Sequence, residues 1–140
     1  MNYSKDQLIY VPLGGSGEIG MNVNLYHYKS DWLMIDLGIS FGDEAIPGVD
    51  VILPDIRFAE EHRENIKAII LTHAHEDHFG AIPYLWDKLR LPIYGTSFTL
   101  NLLRRKLSDA KILDNVPLNE IKYNTDYSFG AFTIEFVALT

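Results

Sequence analysis

Apolar and polar positions alternate along this chain with two different periods, and each change of period marks an element. Residues 8–11 are a short apolar run that meets Pro12 and the glycines at 14, 15, 17 and 20, the pattern of a strand entering a loop. Val23, Leu25 and His27 then alternate with Asn24, Tyr26 and Tyr28. Residues 29–31 turn the chain and 32–35 run back, which predicts a hairpin stopping at Asp36-Leu37-Gly38. Residues 40–54, interrupted by Gly42, Pro47, Gly48 and Pro54, are too punctuated for regular structure and are expected as a long loop. Asp55 is placed to cap a helix running to about residue 65, with Ile56, Ala59 and Phe58 on its buried side.

Residues 67–72 are a mainly apolar run of strand length, typical of an interior strand covered on both faces. Helical spacing returns at Ala81, Ile82, Leu85, Trp86 and Leu89, with Pro83 tolerated in the first turn. A short strand is expected at 92–95. Thr96 then caps a helix that points Phe98, Leu102, Leu103 and Leu107 inward and crowds Arg104, Arg105 and Lys106 toward its negative end. Residues 118–123 and 131–139 read as strands, the last by alternation of Phe132, Ile134, Phe136 and Ala138. The class is mixed α/β, in one domain without repeat or linker. A strong strand running directly to Thr140 has the look of a truncated domain.

Composition narrows the chemistry. The 140 residues are 47% hydrophobic, enough for a core without cross-links, and the absence of cysteine removes disulfides, thiol catalysis and zinc–thiolate sites. No apolar run is long enough to span a bilayer and residues 1–6 do not open like a secretory leader, so the expectation is a cytoplasmic protein without membrane contact. Net charge is −7, and residues 1–80 hold 5 Lys/Arg against 13 Asp/Glu. That balance argues against a free-standing nucleic-acid clamp built on a basic face. It leaves metal chemistry open.

Three of the five histidines fall within residues 73–78, in His73-Ala74-His75-Glu76-Asp77-His78, where the interior strand ends and the next helix begins. Imidazole and carboxylate suit zinc and similar dications. On an extended segment His73 and His75 project to one side and grip one ion, while Asp77 and His78 project differently and address a second. A solvated histidine-rich turn is the bland alternative, disfavoured by four ligand-type residues at one strand–helix joint. His27 and His62 read as structural or solvated, Trp32 and Trp86 as core, and Phe41 and Tyr84 are left open as substrate-facing. Arg104, Arg105 and Lys106 fit a bound phosphate backbone and a solvated helix end equally.

The HxHxDH pattern of residues 73–78 resembles the signature of the metallo-β-lactamase fold. The surrounding stretch 71–81, with residues 12–22, Ile35-Asp36-Leu37-Gly38, Pro47-Gly48-Val49-Asp50 and Leu53-Pro54-Asp55, is similar to the β-CASP ribonucleases and among them to the ribonuclease J family. This resemblance implies an αβ/βα sandwich of which residues 1–140 are the first half. It implies two zinc ions, one on His73 and His75, the other attended by Asp77 and His78. Asp77 would also orient the attacking hydroxide, and Asp36 would support the site by hydrogen bonds without ligating. Hydrolysis of RNA phosphodiesters follows, endonucleolytic and 5′-to-3′ exonucleolytic, in homo-oligomeric full-length proteins. The family's remaining ligands and its β-CASP insert are missing from these residues, so the piece alone is expected to be inactive.

Two rival functions remain. Another hydrolase of the same fold, acting on thioesters or lactones, would share residues 73–78. Gly15-Ser16-Gly17-Glu18-Ile19-Gly20 satisfies GxGxxG, the dinucleotide fingerprint, but residues 22–27 alternate like a strand where that fingerprint needs a helix. The loop is instead expected near the metal site, with Glu18 as a surface carboxylate.

Overall fold

The computed structural model describes Ser4 and residues 6–139. Residues 1–3, Lys5 and Thr140, which carry part of the reading of the opening segment and of the chain's end, lie outside the described residues.

Six strands form one mixed sheet: β1 (Ile9–Gly14), β2 (Val23–Tyr28), β3 (Asp31–Ile35), β6 (Ile66–Ile70), β7 (Ile93–Gly95) and β8 (Leu118–Glu120), in the spatial order β1-β2-β3-β6-β7-β8. The first three are antiparallel, as alternating residues joined by short turns dictate, whereas β6 runs parallel to β3 and β7, and β8 is parallel to β7. The expected interior strand is therefore β6, with neighbours on both edges and Ala68, Ile69 and Ile70 buried.

One face of the sheet carries the helices α1 (Arg57–His62), α2 (Glu76–Phe79), α3 (Ile82–Leu89) and α4 (Ser97–Asp109). Leu25, Met34, Ile69 and Ile93 from the strands meet Ala59, Phe79, Ile82, Leu85 and Leu103 from the helices in the main core. The opposite face holds a smaller cluster in which Leu33, Ala68 and Ile70 pack under a ribbon of β9 (Asp126–Phe129) and β10 (Phe132–Glu135). Asp31 pins this ribbon by accepting a 2.7 Å hydrogen bond from the Ala131 amide. Helices, sheet and ribbon are the layers of half an αβ/βα sandwich. No helix among the described residues is long and apolar enough to cross a membrane.

Several elements differ from expectation. The 40–54 segment is tied at its ends by the two-residue strands β4 (Ser40–Phe41) and β5 (Val51–Ile52), because Gly42 lets the strands close to within a Cβ's reach of Val49. The helix expected to residue 65 stops at His62 and tightens into a 3-10 turn, and Asp55 accepts the Arg57 amide two residues on without capping a longer helix. Thr96 occupies the N-terminal boundary of α4, yet its hydroxyl donates to Thr99 Oγ1 at 3.2 Å instead of capping a backbone amide. Phe98 is not inward: Thr99, Leu100, Leu103 and Leu107 form the buried stripe, and Phe98 is 70% exposed. The strand expected over 131–139 is only four residues long and turns back on β9, a four-residue strand, Asp126-Tyr127-Ser128-Phe129, that was not expected.

Candidate functional site

The carboxyl ends of β3 and β6 lie side by side, and in open α/β sheets ligand chemistry collects at such ends. Three segments are laced together there by backbone hydrogen bonds. The Asn22 amide donates to Asp77 O at 2.8 Å, Gly38 to Asn22 O at 3.0 Å, Leu37 to His78 O at 2.8 Å and Ile39 to Glu76 O at 3.1 Å. Such close passage requires a glycine at 38, where a Cβ would sit 1.7 Å from Asp77 O. The glycine loop is thus a strand–loop–strand connection that delivers Asn22 to the histidine segment. It opens into β2, which removes the dinucleotide reading. Glu18, expected on the surface, is exposed and accepts from the Gly15 amide.

Asp36 is the hub. It leaves β3 with a left-handed φ of 65°, is buried, and spends both oxygens on the cluster. Oδ1 accepts the Thr72 amide at 2.8 Å, while Oδ2 accepts the Thr72 hydroxyl at 2.8 Å and His78 Nδ1 at 2.7 Å. Thr72 Oγ1 in turn lies 3.0 Å from His73 Nδ1. One carboxylate therefore orients His78 directly and His73 through a threonine, the manner in which metal-binding imidazoles are usually held from behind.

β6 ends at Ile70, so His73 and His75 hang from a loop beyond the strand, and yet they face each other. His73 Nε2 is 3.1 Å from His75 Nδ1, with ring centroids 4.5 Å apart. Asp77 and His78 sit in the single turn of α2, with Asp77 Oδ2 3.4 Å from His78 Nε2. The His73 ring stands between the others, 4.0 Å from that of His78. Two nitrogens on a tetrahedral zinc lie about 3.3 Å apart. Each pair thus has the separation of two donors on one ion. The donor set fits divalent metal as two pairs, not as a closed centre: among the described residues no three His, Asp or Glu side chains converge on a common metal position.

The imidazoles are tuned in opposite directions. Burial, and then the neighbouring His78 and His75, push His73 below the usual imidazole value, favouring the neutral form that ligates. The hydrogen bond to Asp36 raises His78, with burial opposing and Asp77 adding.

Asn22 was legible only as part of a resemblance, and its contacts are a finding. Its Nδ2 donates to Asp77 O at 3.0 Å and reaches Asp77 Oδ2 at 3.3 Å and His78 Nε2 at 3.2 Å. No local pattern in sequence signals a bond across 55 residues.

The other candidates separate from the cluster. His27 packs on Trp32 at 4.6 Å, and His62 Nδ1 donates to Phe58 O at 2.8 Å while the ring stacks on that of Phe58. Phe41 and Tyr84 line a different cleft of about 560 Å³, together with Lys106 and Glu76, which form an ion pair. Arg104 is hydrogen-bonded to Asn101.

Residues 17–119 match the family model described as the metallo-beta-lactamase superfamily. Ribonuclease J of Sinorhizobium meliloti is 44% identical over 138 residues, 96% of this chain and 24% of that protein. Ribonuclease J of Helicobacter pylori is 38% identical over 138 residues, 98% of this chain and 20% of that protein. The chain thus spans about a fifth to a quarter of the length of these curated relatives. The metallo-beta-lactamase fold protein YhfI from Bacillus subtilis superposes with a TM-score of 0.60 at 19% identity, covering 91% of this chain and 51% of that one, a likeness of fold. The family match contains the end of the glycine loop with Asn22, Asp36 and the whole histidine segment, parts that the hydrogen bonds draw together, and membership implies divalent metal. The chain belongs to the metallo-beta-lactamase superfamily.

Proposed function

We propose that this chain is the N-terminal part of a zinc-dependent ribonuclease, holding half of a two-ion site that hydrolyses RNA phosphodiesters. The observation that carries the reading is the pair of donor pairs, His73 Nε2 with His75 Nδ1 and Asp77 Oδ2 with His78 Nε2, both braced by Asp36. RNA as substrate is supported by the relatives named ribonuclease J at 38–44% identity. By the same likeness we assign exonucleolytic and endonucleolytic action, a β-CASP insert outside these residues, cytoplasmic location and homo-oligomeric assembly.

In this reading His73 and His75 hold one zinc, and Asp77 and His78 the other. When bound, the two ions supply activation of a water nucleophile and neutralisation of charge on the phosphoryl oxygens. The chain's own part is preorganisation. Asp36 fixes the proton of His78 on Nδ1 and so leaves Nε2 as the ligating atom. Thr72 transmits the same constraint to His73, and Asn22 restrains Asp77. Asp77, the carboxylate partner of His78, would in addition orient the attacking water.

The test uses the full chain with whatever sequence its gene adds beyond residue 140. Single-stranded RNA should be cleaved with zinc, spared after chelation, and spared by His73→Ala and Asp77→Asn. Hydrolysis of a thioester or lactone with RNA left intact would overturn the reading.

A further inference from the structure

α4 places its residues against the hydrophobic rule. At 100° per residue Phe98 lies about 140° around the helix from buried Leu103, while Thr99 takes an inward position and is 2% exposed. A threonine inside and a phenylalanine 70% exposed is a costly arrangement for stability alone. Phe98 is not scattered surface. It lines a cavity of about 430 Å³ together with Tyr123, which is 51% exposed, and with His73 and His75. That volume is within the roughly 300–1,000 Å³ of sites that enclose small organic ligands.

We infer that Phe98 and Tyr123 form a stacking subsite for one base of single-stranded RNA, that of the nucleotide next to the phosphate bound at the metal site that His73 and His75 help to form. The inference rests on the ribonuclease reading and names how its substrate is gripped. The occupant follows from continuity: the cavity wall includes the two imidazoles, so a chain whose phosphate reaches them must lay an adjacent nucleotide in the same space. It follows also from charge. None of the residues lining the cavity is a lysine or arginine, so inside it affinity has to come from base faces. Aromatic platforms accept any base, which suits an enzyme working along a strand.

The experiment compares wild type, Phe98→Ala, Phe98→Tyr and Tyr123→Ala of the zinc-loaded full chain on short single-stranded RNA, intact or with one abasic nucleotide beside the scissile phosphate. Phe98→Ala and Tyr123→Ala should each raise KM roughly tenfold with kcat nearly unchanged, as loss of one base–aromatic stack implies. Phe98→Tyr should restore the wild-type KM, and on abasic RNA the wild type and both alanine variants should become equal. An unchanged KM, an equal rise on abasic RNA, or a lowered melting temperature at constant KM, which would mark the ring as covered by protein, overturns the subsite and leaves the ribonuclease reading standing. A wild type that leaves RNA uncut overturns both.

Discussion

His78 Nδ1 lies 2.7 Å from Asp36 Oδ2, a contact between the single turn of α2 and the end of β3, 42 residues earlier. The bond raises the imidazole above its ordinary value near 6.5. A group whose folded value is raised contributes stability that is complete below its unfolded value and is lost as pH rises through the folded one. In the metal-free chain, Asp36→Asn should therefore lower the His78 midpoint followed by NMR. It should also remove about 1.5–3 kcal/mol of unfolding free energy below pH 6.5 and less at higher pH, the range for a hydrogen bond to a charged group. An unshifted midpoint would show that Asp36 does not govern this imidazole.

Gly38 allows the β3 exit and α2 to share backbone hydrogen bonds. A Cβ there would stand 1.7 Å from Asp77 O and 2.7 Å from His78 N, both backbone atoms that cannot swing aside. Gly38→Ala should destabilise by about 3 kcal/mol in denaturant titration, the upper end for overpacking. In the full chain it should also remove one of the two metal ions proposed above, because the turn carrying Asp77 and His78 has to move. Retention of both ions would show that the turn carrying Asp77 and His78 keeps its place despite the added Cβ.

What was legible in sequence, and what was not, follows range of interaction. The interior strand could be read from Ala68-Ile69-Ile70-Leu71, and the strand after the glycine loop from the alternation of Val23, Leu25 and His27, because both are local patterns matching local structure. Phe98 was misplaced because Phe98 and Leu102 form one i,i+4 ridge while Leu100, Leu103 and Leu107 form a competing one, and only packing against the sheet selects between them. β9 is only four residues long, too short for the alternation of Tyr127 and Phe129 with Asp126 and Ser128 to stand out without its partner β10 across the turn at Gly130. His73, His75, Asp77 and His78 were visible as a motif. Their division into two pairs, and the roles of Thr72 and Asn22 in bracing them, depend on contacts across the fold.

Lys106 illustrates a smaller effect. It pairs with Glu76 on α2 and stands 5.7 Å from the centre of the Phe79 ring, with both charged side chains about a third exposed. Partly exposed pairs contribute about 0–1 kcal/mol and are screened by salt. Lys106→Met, which keeps the aliphatic contact with Phe79, should cost less than about 1 kcal/mol at low ionic strength and nothing measurable at high salt. A larger loss that persists in salt would show that the charge of Lys106 does more than a screened, partly exposed ion pair can.

Asn22 offers the sharpest test of how the second donor pair is held. Its amide group donates toward Asp77 at two oxygens and toward the His78 nitrogen that faces away from Asp36, while its own backbone bonds to Asp77 O and Gly38 N are independent of the side chain. Asn22→Ala should therefore fold normally and still lose restraint on the pair. Loss of such a supporting contact typically weakens metal affinity about 10- to 100-fold. In zinc titration of the full chain, one ion should weaken by that factor while the ion assigned to His73 and His75 is unaffected. Asn22→Asp, similar in size but an acceptor where a donor is needed, should not restore the native arrangement of Asp77 and His78 in the metal-free chain, read by NMR of the His78 ring. Equal weakening of both ions, or none, would show that the amide does not act on this pair.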